Sequence, residues 1–445
     1  MLKSSRETKY EIENLGDVIH PVCCGLDIHK TWIYAAILIY NFEKKQIHWI
    51  TTRVTSFKKK LDKLAKWLIV NGCKYICMES TGQYWIPVFD ALEDAGLKPI
   101  VAHPKYLKVL SGKKSDPNDA RWIAKAFACG RVVASFIPPK AIRNLRSLVR
   151  FMIKISHEAT SNKNRARNCL TSLGLKLDDV FSDVFGKSSR SIINYIIAHP
   201  SEKFDVAPFV DKACKTPIAM IQDSIDKAID AKQDAGTLLK LRKALERLDD
   251  AEKDIQELKG NITQQMGAYK KQLDLIRTVP GFDTDPFTAM RVLIEIGPDM
   301  KVFPTMKHFC SWAGVCPHHD SSAYKVKGRR ISRSGTYLKP LLVNIAKAVV
   351  RSKNHPEISR RFNRIKNRRG YMKAIIAVCR MFLTAIWNIL SKGEPYRADG
   401  FMPANNNGNG KALSFSQALA YVRSRGYAII DDNSGALTTT GSQGT

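Results

Sequence analysis

Between Val22 and Cys129 the hydrophobic pattern changes period repeatedly, and no other feature limits the fold as strongly. Cys24 to Tyr40 is rich in apolar residues and reads as a strand. Its partner is Gln46 to Thr55, across the turn-like Asn41 to Lys45. Leu61, Leu64 and Leu68 then fall at helical spacing and predict an amphipathic helix over Phe57 to Asn71. Tyr75 to Met78 is a short apolar strand. Tyr84 to Ala95 is a helix stopped by Gly96, and Pro99 to Ala102 a further strand. Asp116 opens a helix that runs to about Cys129. Paired strands followed by strand–helix alternation require a mixed sheet with helices packed on it.

That order is the one found in three-layer folds of the RNase H type. Beyond it, residues 140–275 carry almost no strand signal. Leu241, Leu248, Ile255 and Ile262 recur every seventh residue, with Leu245 and Leu258 beside them. Charges fill the gaps, as in a coiled coil, and the short run fits an antiparallel hairpin as well as a dimer seam. The expected fold class is α/β plus all-α. An RNase H-like (Holliday-junction-resolvase-like) domain over 23–139 is followed by a helical and coiled-coil region over 140–274. A mainly helical third domain follows over 275–400. Residues 1–22 read as a mobile lead-in. Residues 401–445 read as a mostly flexible tail, with the low-complexity MPANNNGNG and one candidate helix at Ser414 to Ile430.

The chain has 71 Lys and Arg against 41 Asp and Glu, a formal net charge of +30. Such a surplus repels itself unless a polyanion is near, so DNA or RNA is the natural partner. Arg143, Arg146, Arg150, Lys154, Lys163, Arg165 and Arg167 load one helical stretch and are read as nucleic-acid contacts. Arg360, Arg361, Arg364, Lys366, Arg368, Arg369 and Lys373 form a second basic run. The longest apolar stretch, Ala374 to Leu390, is broken by Arg380, Thr384 and Asn388 and reads as a buried helix, not a membrane span. The polar N-terminus lacks an apolar core, which argues against a secretory signal. None of the ten cysteines shows the spacing of a zinc ribbon, so reduced thiols and a cytoplasmic setting are expected. Cys310, Cys316, His318 and His319 lie close in sequence, and burial of the cysteines accounts for them better than zinc does.

Four carboxylates occupy informative places. Asp27 interrupts the apolar first strand, Glu79 ends a central strand, and Asp116 and Asp119 start a helix. A lone carboxylate in an apolar strand is costly and needs a reason. Ordinary reasons exist for the others: Asp116 before Pro117 is a standard helix start, and Asp119 suits a helix dipole. Together, though, they are hard oxygen ligands of the kind Mg2+ takes. Two such ions clamp the attacking and leaving oxygens in phosphoryl transfer.

Several stretches resemble the DEDD-motif transposases of insertion sequences, relatives of the Piv-type DNA invertases. They are GLDIHK at 25–30, MESTGQYWIPVFDALEDAGLKPIVAHP at 78–104 and KSDPNDARWIAKAFACGR at 114–131. A second block runs from IRTVPGF at 276–282 through FCSWAGVCPHHDSS at 309–322 to GRRISRSGTYLKPLL at 328–342. The resemblance implies a DEDD set on Asp27, Glu79, Asp116 and Asp119 holding Mg2+. It also implies a nucleophilic serine in a transposase domain over 275–400, just after Gly314-Val315-Cys316-Pro317. By position that is Ser322, with Ser321 as the fallback, although Ala323 stands where the family has glycine. Lys325, Lys327, Arg329, Arg330 and Arg333 follow closely and would hold the attacked phosphate. Val279-Pro280-Gly281-Phe282 resembles the start of a helix-hairpin-helix, with Asp283 in place of a second glycine.

The implied activity is recombination that moves an insertion sequence, by a serine recombinase acting on element ends and target DNA. The implied partners are a non-coding bridge RNA and further copies of the chain, dimers pairing to a tetramer. The serine of one protomer would meet the acidic cluster of another, and the heptad run is a sensible contact. Two rival readings differ in chemistry. A resolvase-like nuclease would need the acids but no serine, and a plain polyanion binder would need neither.

Overall fold

A computed structural model of the chain describes residues 8–80, 82–102, 116–200, 202–229, 234–317, 320–322, 325–328 and 330–397. Its first part is a six-stranded sheet in the order β1-β4-β3-β2-β5-β6. The strands are β1 (Thr8–Ile12), β2 (Val22–Ile28), β3 (Trp32–Asn41), β4 (Gln46–Thr55), β5 (Tyr75–Glu79) and β6 (Lys98–Ala102). β1 to β4 pair antiparallel, whereas β2, β5 and β6 run parallel. Helices α1 (Lys58–Val70), α2 (Trp85–Asp94) and α3 (Asp116–Ala128) cover the two faces. This mixed α/β arrangement is consistent with an RNase H-like domain.

Two expectations need correcting. The run from Cys24 to Tyr40 is two strands, not one, folded back where His29 N donates to Trp32 O at 2.9 Å. Within the lead-in, Thr8–Ile12 is an edge strand in register with Gln46–Ile50.

Side-chain alternation divides β2 and β5 between two cores. Cys24, Leu26, Ile76 and Met78 face α1 and α2. Cys23 and Cys77 face α3, among Ala120, Ile123, Ala124 and Phe127. Each strand thus buries both faces, as strands of parallel sheets do.

The remainder is mostly helical. α4 (Lys140–Ser172), α5 (Leu177–Val180), α6 (Lys187–Ala198), α7 (Ile218–Ile229) and α8 (Ala235–Met266) make the middle. The heptad leucines are spent inside the chain. Leu238, Leu241 and Leu245 meet Ala166 and Leu170, while Leu248 and Ala251 meet Ile155 and Ala159. α4 and α8 are therefore an antiparallel pair, with Lys163 3.2 Å from Glu252 across it.

The third part holds α9 (Lys270–Arg277), α10 (Pro286–Ile296), α11 (Met306–Trp312), the hairpin β7 (Asp320–Ser322) and β8 (Lys325–Gly328), α12 (Leu338–Val349), α13 (Pro356–Arg369) and α14 (Tyr371–Lys392). α14 is long and apolar enough to cross a membrane, yet Ala374, Val378, Leu383 and Ile386 are fully buried within this unit. The candidate helix at Ser414 to Ile430 lies outside the described residues.

Candidate active site

Two of the four acids, Asp27 and Glu79, stand at one sheet edge, and a glycine sets how α3 approaches it. In the parallel register Leu26 lies beside Met78, so the next residues, Asp27 and Glu79, stand side by side at adjacent strand ends. By alternation both belong to the α3 face, the face of Cys23 and Cys77. Helix α3 crosses that face at Gly25. A Cβ there would sit 2.1 Å from Ala120 O and 2.5 Å from Ala124 N, so only glycine permits the approach.

The helix direction follows from three contacts. Ala124 O accepts from Cys23 Sγ at 3.5 Å, and Ala128 O accepts from Ile19 N at 2.8 Å. Ala120 lies over Gly25. The C-terminal turn of α3 therefore lies at the start of β2, and its N-terminus, with Asp116 and Asp119, lies toward Asp27. Asp119 and Glu79 are half-buried, and the Asp27 side chain is 18% exposed. The Asp116 backbone opens α3, and its side chain lies outside the described residues.

A histidine joins Asp27 at this edge. His29 Nε2 lies 3.0 Å from Asp27 Oδ2, its ring packs against Trp32 at 5.3 Å, and Arg53 covers Trp32 at 4.5 Å. Sequence reasoning passed over His29. Its spacing of two from Asp27 in an extended chain was the available signal.

Among the described residues no three His, Cys, Asp or Glu already form a metal cage. The donor types nonetheless suit a hard cation: carboxylate oxygens dominate, and the thiols sharing this face are held neutral. Burial pushes Cys77 up to about 12 and Cys23 higher still. Neutral thiols do not compete as soft ligands.

The serine region has its own scaffold. β7 and β8 pair Ser322 with Lys325 and Ser321 with Val326, with a register shift between Asp320 and Ser321. Ser322 thus ends β7, paired with the first residue of β8. Pro317 and Ile331 bridge the base of this hairpin. Below them two glycines interlock: a Cβ on Gly335 would lie 2.2 Å from Ala313 O, and one on Gly314 would lie 2.5 Å from Ser334 O. Lys339 Nζ donates to Ser332 O at 2.6 Å, and burial lowers its pKa. The side chains of Ser321, Ser322, Lys325 and Lys327, and the whole of Arg329, His318 and His319, lie outside the described residues. Arg330 and Arg333 are exposed. Cys310 is fully buried, which raises its thiol to about 11.

The basic stretch on α4 is mostly structural, contrary to expectation. Arg143 contacts Asp90 and Glu93 on α2. Arg146 is buried and donates to the carbonyls of Ile294 and Glu295. Arg150 grips the buried Glu295 carboxylate through two 2.9 Å hydrogen bonds. By contrast Arg360, Arg361, Arg364, Lys366, Arg368, Arg369 and Lys373 are all exposed. Gly281 lies in the connection between α9 and α10, and Asp285 caps α10 by accepting from Phe287 N at 3.0 Å.

Residues 24–174 match a DEDD transposase family of IS110 type, described as "Transposase". Residues 273–363 match the family described as "Transposase IS116/IS110/IS902 family". The chain is 22% identical over 411 residues to "Transposase for insertion sequence element IS1111A" from Coxiella burnetii, covering 89% of this chain and 94% of that protein. It is 30% identical over 115 residues to "Probable family 20 transposase" from Pseudomonas aeruginosa, covering 25% of this chain and 34% of that protein. The two family segments contain the acidic sheet edge and the serine hairpin respectively.

Proposed function

We propose, for a chain that is a transposase of the IS110/IS1111 family and therefore cuts and rejoins DNA, that the cutting uses both segments: an acidic RNase H-like edge and a serine. The observation that carries this reading is the placement of Asp27 and Glu79 on one face, beneath the N-terminus of α3. Asp27, Glu79, Asp116 and Asp119 would hold Mg2+, which when bound neutralises the charge that builds on a phosphate under attack. His29 orients the Asp27 carboxylate. The Ser322 hydroxyl attacks a backbone phosphate, forming a serine–phosphate ester as one DNA ester bond breaks and its sugar oxygen leaves. Reversal by another strand end rejoins DNA without a further energy source, because the ester keeps the bond. Lys325, Lys327, Arg329, Arg330 and Arg333 hold the phosphate.

The partners of this reading are the element ends and target DNA, a bridge RNA that selects sites by base pairing, and further copies of the chain. It acts where the DNA is, in the cytoplasm. Because α4 occupies the heptad face of α8, self-association uses another surface.

The test is covalent trapping. Protein, Mg2+, DNA carrying the element junction and RNA transcribed from the element flanks are mixed, then denatured. The expected result is a protein–DNA adduct mapped by mass spectrometry to Ser322, absent from Ser322→Ala and dependent on Asp27. Mapping to Ser321 would move the nucleophile by one residue. Cleavage without adduct, unchanged in Ser322→Ala, overturns the serine step and leaves a metal-dependent nuclease. An adduct formed equally well without RNA overturns the guide.

A further inference from the structure

A cleft of about 1400 Å³ lies where the loop after β5, helix α4 and the loop before α12 come together. It exceeds the roughly 300–1,000 Å³ of pockets that hold small ligands. Its walls carry Gln83, from the turn after Glu79, and Trp85, which opens α2, with Arg333 and Tyr337, which follow the serine hairpin. Phe151 and Lys154 project from α4. We propose that this cleft holds an unpaired DNA strand, its bases against Phe151 and its phosphates on Lys154 and Arg333.

Charge is the first argument. Among the described residues that line the cleft the one carboxylate is Glu295, which is 4% exposed and already held by Arg146 and Arg150. The exposed cations Lys154 and Arg333 thus leave the open part of the wall positive. A polyanion is the complement of such a wall.

The ring is the second. Phe151 is 55% exposed on a helix face that also carries Ser147 one turn before and Lys154 one turn after. An isolated exposed aromatic is unremarkable by itself. Within a basic cleft it has the make-up of single-strand sites, where cations follow the backbone and rings stack on bases. Duplex DNA offers no such face, because each base is already stacked on its neighbours. Arg150 is withdrawn from the backbone-binding role, since it stacks over the Tyr337 ring at 4.6 Å while gripping Glu295. It shapes the wall.

Position is the third. Gln83 and Trp85 connect directly to the acidic edge, and Arg333 to the base of the hairpin. A strand freed at either place has this basic cleft beside it. The choice of DNA over RNA rests on the transposase reading; the cleft's chemistry does not.

The test measures binding of a short fluorescent single-stranded DNA to the full chain in chelator, so that the metal-dependent step plays no part. Phe151 is exposed, and Phe151→Ala is expected to fold normally and to weaken single-strand binding about tenfold, within the range for one lost stacking platform. Duplex binding stays unchanged. Lys154→Ala lowers the slope of log affinity against log salt by about 0.7, the value for one phosphate contact on a single strand. Phe151→Ala leaves that slope alone. A strand carrying 5-iodouracil, irradiated on the protein, cross-links to Phe151. The proposal is overturned if Phe151→Ala binds the single strand normally, if it weakens duplex equally, or if an RNA strand of the same sequence binds more tightly in a Phe151-dependent way. None of these outcomes touches the serine adduct, so the two readings fail separately.

Discussion

At the scale of single residues, the site depends on an atom that is missing. Gly25 lets α3 lie against β2, with the N-terminus of α3 toward Asp27. Gly25→Ala is expected to destabilise the fold by about 1–3 kcal/mol, the range for an overpacked core. It is also expected to abolish cleavage, because α3 must move and carries Asp116 and Asp119 with it. Urea unfolding measures the first effect and a DNA cleavage assay the second. Full cleavage by a stable Gly25→Ala protein would show that the α3 carboxylates are not needed where they stand. The sequence displayed the four acids, but it hid what brings α3 toward Asp27 and Glu79. The glycine of GLDIHK gives no periodic signal, and its meaning lies in a helix about a hundred residues away. His29 was hidden for the opposite reason, since a histidine just past a strand end attracts no notice until its ring is found on Asp27.

At the scale of elements, legibility tracked local chemistry. α1 was readable from leucine spacing, α2 from its glycine stop and α3 from its Asp-Pro start, and each ends within two residues of its expected boundary. The β2–β3 hairpin was not. Both strands are buried on both faces, so their apolar residues run on without alternation, and Ile28 to Trp32 contains no glycine, proline or asparagine to mark a turn. The α4 arginines misled because their partners, Asp90, Glu93 and Glu295, come from other elements. The heptad run was open between a hairpin and a dimer seam, and packing resolves it as an intramolecular pair. Leu248, 1% exposed against Ile155 and Ala159, gives the prediction. Leu248→Ala should cost about 2–5 kcal/mol, as truncations in a core do. It should leave the oligomeric state of the folded protein unchanged by light scattering. Dissociation of an oligomer at unchanged stability would restore the seam between copies.

At the scale of the whole molecule, the net charge of +30 is unevenly spent. In the middle region acids answer bases: Lys163 meets Glu252, Arg190 meets Asp249 and Lys187 meets Asp211. From Lys325 to Lys373 the lone carboxylate is Glu357, and it lies 3.7 Å from His355. Helix α13 presents Arg360, Arg361, Arg364, Arg368 and Arg369 to solvent, and among the described residues no acid forms an ion pair with them. Its fold does not need them, because Ile358 and Phe362 anchor it. Surface cations kept against their own repulsion gain from counterion release when they meet phosphates. Replacing these five arginines with glutamine should leave thermal stability nearly unchanged. The slope of log duplex affinity against log salt should fall by about 0.9 for each phosphate contact removed. Lys187→Gln, which removes a cation already paired to Asp211, should leave the slope where it was. If the five-arginine variant keeps the full slope, the DNA lies elsewhere, and the hairpin basics from Lys325 to Arg333 become the principal duplex contact. A fall in slope with unchanged discrimination between sequences would mean that α13 grips the backbone and leaves sequence selection to other contacts.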